Sequence, residues 1–214
     1  MRCVASILTV AAVTGFASAD LTNPDIPSWR GDANTSFAQW DSFTSADGGP
    51  NAATSGGGMN LYNFGQGAIV ASSGNLYGLG GPLNIHVYPA AAPLFNMQTA
   101  VVNVAYLGNP IDVDGMRAYV GSSGSGTYVD PASVEFRGEG AGGPFGGPKT
   151  YAITFDLSNV AFGFQGLSFF FDSGDLSSSS LDAISIDVLG SAIPAPGALA
   201  LLGLAGVARR RRRG

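Results

Sequence analysis

The feature that most constrains the fold is a two-residue alternation of apolar and polar side chains in short runs. In residues 151–157 every second side chain is apolar, and residues 83–87 and 184–188 repeat the pattern. Residues 134–137 carry a shorter copy. Because successive side chains of a strand point to opposite faces, this period predicts strands with one buried face and one solvent-exposed face, as in antiparallel sheets.

Two further runs, residues 99–107 and 167–171, are apolar on both faces and predict central strands that are covered on both sides. Turn clusters rich in Gly and Ser separate the runs, as in residues 47–50 and 121–126. None of the intervening stretches has a convincing helical period. We therefore expect about nine or ten strands and an all-β fold class, an antiparallel β-sandwich that is jelly-roll-like.

The charged residues are few and unevenly placed. They make up 12% of the 214 residues, and the apolar 45% is enough for the core of one domain. Of the ten basic residues, one lies at position 2 and five at positions 209–213, so only four basic residues accompany fifteen acidic ones in the body. An acidic body repels phosphate groups, so this distribution argues against nucleic acid as a partner.

The first 19 residues have the pattern of a secretory signal peptide, which implies the export machinery as a partner. Arg2 supplies the positive start, residues 4–16 are mostly apolar, and Ala17 and Ala19 provide a small-residue cleavage site. The apolar run is too short for a spanning helix, which needs about 20 residues. Cleavage after Ala19 would remove the only cysteine, at position 3, and with it any disulfide or thiolate chemistry.

The chain ends in a tail with three parts. Pro194, Ala195 and Pro196 interrupt regular structure, and residues 197–208 are small or apolar. A cluster of five arginines follows before the final glycine: Arg209, Arg210, Arg211, Arg212 and Arg213. A helix over residues 193–208 would be about 24 Å long, which is shorter than the ~30 Å hydrocarbon core, and its arginines would stay on the cytoplasmic side. We expect a short C-terminal apolar helix that the inner membrane holds transiently.

This order of proline motif, short apolar helix and terminal arginine cluster resembles the PEP-CTERM sorting signal of Gram-negative bacteria. The resemblance covers residues 192–213, and alanine stands at position 195 where the family has glutamate. It implies processing by an exosortase, which is a membrane protease, and a link to extracellular polysaccharide or the biofilm matrix. The body also resembles exported planctomycete domains that carry such a tail, in residues 29–31, 36–43 and 180–187.

The only histidine, His86, is the first candidate for chemistry. It alternates with the apolar residues of its run, so it shares the polar face with Asn84 and Tyr88. This trio is either a solvated sheet face or a ligand-binding patch. A Ser-His-Asp triad would have to use this histidine, and the chain has no Gly-x-Ser-x-Gly elbow. The two glutamates, Glu135 and Glu139, do not fit the carboxylate pair of a glycosidase, so we expect no enzymatic activity.

Asp112 and Asp114, followed by Gly115, resemble part of a calcium loop. The spacing fails as an EF-hand, because the first and last ligand positions would be Pro110 and Gly121. The two aspartates therefore mark either a solvated strand end or an oxygen-only site for a structural calcium. No other cofactor is expected. A weaker acidic group of the same kind consists of Asp172, Asp175 and Asp182.

The segments together predict a delivery route. They are a signal peptide (1–19), an extended lead-in (20–31), a β-sandwich domain (32–190) and a sorting tail (191–214). We expect an exported, non-enzymatic protein at the cell surface or in the extracellular matrix. The alternative is a carbohydrate-binding module, for which five aromatic residues are available, and a hydrolase is the less favoured third reading. The aromatic residues are Trp29, Trp40, Tyr62, Tyr77 and Tyr88.

Overall fold

The structure is a computed structural model that describes residues 20–91, 93–142 and 146–193. These residues contain fourteen strands, and none of them forms a helix, so none provides a helix able to cross a membrane. The predicted signal peptide with Ala17 and Ala19, and the tail with its Pro194–Pro196 motif, apolar segment and arginine cluster, lie outside the described residues.

The fourteen strands form two antiparallel sheets. In chain order they are β1 (Thr35–Trp40), β2 (Gly48–Ala52), β3 (Ser55–Gly56), β4 (Met59–Asn63), β5 (Ile69–Val70), β6 (Leu76–Tyr77), β7 (Asn84–Pro89), β8 (Thr99–Gly108), β9 (Arg117–Val120), β10 (Thr127–Val129), β11 (Ser133–Glu139), β12 (Lys149–Asp156), β13 (Leu167–Asp172) and β14 (Ser179–Leu189). Sheet A has the order β11-β12-β8-β14-β1-β3, with β6 paired to β14 and β5 to β6. Sheet B has the order β10-β9-β13-β7-β4-β2. The predicted all-β, antiparallel fold class is confirmed.

The long-range strand pairs are nested. In sheet A, β1 pairs with β14 and β8 with β12, while in sheet B, β7 pairs with β13 and β9 with β10. Early strands therefore pair with late ones, and the pairs alternate between the two sheets. The later strands therefore pair with the earlier ones in reverse order along the chain.

The two sheets share one apolar core. Phe155 of β12 and Phe169 of β13 meet across the interface with ring centroids 5.6 Å apart, and both are fully buried. Trp40 at the end of β1 is also fully buried, and its indole Nε1–H donates to the Asn51 carbonyl over 2.9 Å. Burial of each such side chain contributes about 1.5–3 kcal/mol.

The predicted alternation is confirmed where a sheet has one open face. Ile85 and Val87 of β7 are fully buried, while the intervening side chains are half-buried. The doubly covered run at 99–107 is likewise confirmed, because β8 is buried on both faces over most of its length. The run at 134–137 behaves differently. Phe136 is 57% exposed, because β11 is the edge strand of sheet A and its register shifts after this residue.

The prediction of a solvent-exposed face for residues 184–188 is wrong. Ser185 and Asp187 of β14 have no exposed surface. The reason is the lead-in, which covers the outer face of sheet A. Asp25 and Asn103 exchange two hydrogen bonds there, of 2.7 Å from the Asp25 N–H and 3.0 Å from the Asn103 amide. Leu21 packs on a small apolar cluster of the same sheet.

Candidate functional site

The outer face of sheet B carries a contiguous group of aromatic side chains, which we call the aromatic face. Strands β4, β7, β13, β9 and β10 lie side by side, so their outward residues form adjacent columns. The register places His86 opposite Tyr62 on one side and Phe170 on the other, and Tyr119 opposite Tyr128. The seven members are Tyr62, Phe64, His86, Tyr88, Tyr119, Tyr128 and Phe170.

His86 lies at the centre of the aromatic face. Its ring centroid is 4.8 Å from that of Phe64 and 4.8 Å from that of Phe170, both in edge-to-face geometry. Tyr88 lies 5.8 Å away on the same strand. Edge-to-face contacts of this length stabilise a fixed arrangement of rings, so the surface is preorganised.

Both ring nitrogens of His86 are hydrogen-bonded. Nε2 is 2.9 Å from Asn84 Oδ1 and donates to it, so the neutral ring carries its proton on Nε2. Nδ1 then accepts from the Tyr88 hydroxyl over 2.8 Å. Burial lowers the pKa of His86, and burial together with the neighbouring tyrosines raises the pKa of Tyr88. At neutral pH the trio is therefore uncharged, and neither nitrogen contacts a carboxylate as a catalytic triad requires.

The aromatic face forms the floor of two adjoining depressions. Both depressions contain His86, Tyr128 and Phe170. One is bounded by the loop at residues 121–126, and the other by polar groups that include Arg117 and Asp172. Flat aromatic surfaces beside a few hydrogen-bonding groups can hold a ligand that has both apolar and hydroxyl-bearing faces.

Tyr119 fixes the loop that bounds the first depression. Its hydroxyl donates to the Ser122 carbonyl over 3.0 Å and accepts from the Gly126 N–H over 2.7 Å. Gly126 lies directly against the ring, since a Cβ at this position would be 2.5 Å from a Tyr119 ring atom. Tyr119 therefore lines the depression and also fixes the conformation of the loop that bounds it.

The structure brings the predicted trio of Asn84, His86 and Tyr88 together, and it separates the predicted aromatic residues. Tyr62 and Tyr88 belong to the aromatic face, whereas Trp40 belongs to the core. Trp29 lies in the lead-in and Tyr77 in β6 of sheet A. Sequence reasoning did not find four members: Phe64, Tyr119, Tyr128 and Phe170.

The predicted acidic groups lie apart from the aromatic floor or on its rim. Asp112 and Asp114 are exposed, and Asp112 Oδ1 accepts the Gly115 N–H over 2.9 Å, which closes a turn. Asp172 ends β13 in sheet B, whereas Asp182 lies in β14 of sheet A, so these two are not neighbours in one site. Within the described ranges no three His, Cys, Asp or Glu residues converge as metal ligands. Structural calcium at Asp112 and Asp114 stays a prediction.

The two glutamates lie on sheet A. Glu135 is exposed and pairs with Arg137 over 3.3 Å, while Glu139 accepts the Gly147 N–H over 2.9 Å.

Comparison with known proteins finds no matching family model, no matching curated protein and no matching solved structure. A proposal for the molecular function must therefore rest on the aromatic face, and a proposal for the location must rest on the sequences of the two termini.

Proposed function

We propose that this is an exported, non-enzymatic protein of the cell surface or extracellular matrix, which binds polysaccharide through its aromatic face. The observation that carries the proposal is the group of seven preorganised rings around a neutral, hydrogen-bonded His86. Two of the rings, Phe64 and Tyr128, are exposed and the other five are half-buried. A contiguous aromatic surface that is open to solvent indicates a binding site. The C–H faces of sugar rings can pack on aromatic rings, and sugar hydroxyls can hydrogen-bond to polar side chains such as Asn84 and Asp172 at the rim.

The shape and charge favour a neutral polymer. The five strands that carry the aromatic face span about 19 Å at the usual strand spacing of ~4.8 Å, which is longer than one sugar ring. The two depressions share lining residues and are open to solvent rather than closed around a small molecule. Arg117 at the rim already pairs with Asp130 over 3.2 Å, and the body is acidic, so an anionic polymer would be repelled.

The nested strand pairing supports a jelly-roll-like sandwich as the scaffold. In such a fold the first strand pairs with the last, the second with the second-last, and so on, with successive pairs alternating between sheets. The pairs β1·β14, β7·β13, β8·β12 and β9·β10 follow this scheme. The scaffold leaves a broad outer sheet face available for an extended ligand.

Affinity electrophoresis in gels that contain neutral polysaccharides, together with a glycan array, tests the binding function. Tyr128 and Phe136 form a matched pair, since they are 58% and 57% exposed and lie on different sheets. Tyr128→Ala should reduce retardation by about tenfold in apparent affinity, consistent with losing 1–1.5 kcal/mol of ring contact. Phe136→Ala should leave retardation unchanged. Blank arrays with and without calcium would remove the binding function.

The tail supports a second candidate function, which is sorting to the surface. Its proline motif, apolar segment and arginine cluster have the order of an exosortase substrate. We expect export, transient retention in the inner membrane with the arginines inside, and processing by an exosortase-like protease. Cells that express the intact chain should yield a smaller, surface-associated product. A chain ending at Ala192 should be released without this processing, and equal mass and compartment for both chains would contradict sorting.

A further inference from the structure

Asp182 of β14 is a buried carboxylate for which the described residues provide no cation. Asp182 is 8% exposed, and none of the ion pairs among the described residues includes it. Its carboxylate accepts the Asn75 side-chain N–H over 2.5 Å and the backbone N–H of Asp20. The charged groups that face it, the side chains of Asp20 and Asp41, are both acidic.

Asp187, the second buried aspartate of the same strand, has the cationic partner that Asp182 lacks among the described residues. Asp187 has no exposed surface and receives two hydrogen bonds of 2.6 Å from the Arg30 guanidinium. Both aspartates hold the lead-in against sheet A, Asp187 near its end and Asp182 at residue 20. Between them the Thr22 N–H donates to the Thr150 hydroxyl over 2.8 Å, so the whole segment is fixed along the sheet.

The sequence independently predicts a cleavage between Ala19 and Asp20. Hydrolysis of that peptide bond consumes one water, leaves a carboxylate on Ala19 and leaves an α-ammonium group on Asp20. We infer that removal of the signal peptide completes an ion pair between the new α-ammonium of Asp20, which is an exposed residue, and the buried carboxylate of Asp182. This inference rests on the proposed export, and it makes the mature N-terminus a structural part of the domain.

The chemistry of the site fits an ammonium group better than an amide. An amide supplies one N–H donor, whereas an α-ammonium supplies three and a positive charge. Asn75 donates to Asp182, and its own Oδ1 is buried without a hydrogen-bond partner among the described residues. Burial raises the pKa of Asp182 in the uncleaved chain, against the lowering by its hydrogen bonds from Asn75 and Asp20. A cation at residue 20 offsets that burial.

The ion pair has a definite pH dependence. Pairing raises the pKa of the α-amine in the folded state above its unfolded value of about 7.7–8.0. The stabilisation is therefore complete below the unfolded value and is lost as the pH rises through the folded one. At acid pH it is lost again as Asp182 becomes protonated. The mature chain should gain stability near pH 6.5 and lose the gain near pH 10.

The test compares two chains that differ only at the N-terminus. One begins at Asp20 with a free amine, and the other carries an N-acetyl group on Asp20, each continuing to Gly214. At pH 6.5 the free-amine chain should melt about 3–6 °C higher, and the two chains should converge near pH 10. Asp182→Asn should abolish the difference at pH 6.5. Asp156→Asn, at a fully exposed carboxylate, should preserve it.

A second measurement keeps the inference falsifiable if a variant folds poorly. The α-amine of the mature chain should react with an amine-selective reagent at pH 7.5 at least tenfold more slowly than in the urea-unfolded chain. Equal melting temperatures or equal reactivity would overturn the ion pair. Cleavage of the secreted protein elsewhere than after Ala19, read by N-terminal sequencing, would instead overturn the predicted export site.

Discussion

The Arg30–Asp187 pair is a bidentate ion pair between the lead-in and β14 of sheet A. The Asp187 side chain is completely buried, the Arg30 side chain is 20% exposed, and the guanidinium also lies 4.0 Å from the centroid of the Phe37 ring. Removing one partner of such a pair leaves an uncompensated buried charge. Because the geometry is bidentate, a lysine at position 30 would not reproduce it.

Arg30→Gln should lower the free energy of unfolding by about 3–5 kcal/mol, measured by urea denaturation at pH 7. The matched control is Arg117→Gln, which breaks an exposed pair with Asp130 and should cost at most ~1 kcal/mol. Similar costs for both substitutions would show that the Arg30 pair is not desolvated in solution.

His86 should titrate below the usual histidine range. Burial lowers its pKa, so on acidification the unfolded chain binds a proton before the folded chain does. Stability should therefore fall as the pH drops below about 6.5, until the folded pKa is passed. NMR titration of the single imidazole measures the midpoint, which should lie below that of the urea-unfolded protein. In the His86→Gln variant this part of the pH dependence should be absent, and a midpoint above 6.5 would contradict it.

At the scale of elements, the sequence predicts a strand better than it predicts what covers it. Alternation located β7 and β12, because this signal is local and each strand has one side in the core. The same signal misassigned β14, since its polar side chains are covered by a lead-in that is more than 140 residues away in sequence. The prediction that residues 167–171 are covered on both faces is wrong at Phe170, which is half-buried on the open outer face of sheet B. An apolar run does not distinguish a core aromatic residue from a surface one.

The lead-in should behave as part of the domain rather than as a linker. A chain that begins at Asp32 would lose the contacts of Leu21, Asp25 and Arg30, and would expose the outer surface of β8 and β14. Its urea midpoint should be lower than that of the chain beginning at Asp20, and hydrogen exchange should be faster in these two strands. Equal midpoints and equal exchange would contradict this role, and β9 of sheet B serves as the internal reference.

For the whole molecule, the two outer faces of the sandwich have different environments. The lead-in covers much of sheet A, whereas the aromatic face of sheet B is open. The chain leaves the sandwich at one end, where the Ser191 N–H donates to the carbonyl oxygens of Phe95 and Asn96 over 2.8 and 3.2 Å. The sites proposed for sorting and for binding therefore share no residue.

Sorting and polysaccharide binding should accordingly be separable by substitution. Tyr128→Ala should weaken polysaccharide binding about tenfold while leaving surface delivery intact, because Tyr128 lies on the outer face of sheet B, whereas the last described residues lie beside Phe95 and Asn96. A chain ending at Ala192 should lose delivery and retain the full affinity of the intact chain. Cell fractionation and affinity electrophoresis on the same three proteins measure both properties. If truncation also weakened binding, the tail would have to contact the aromatic face, and the two functions would be coupled.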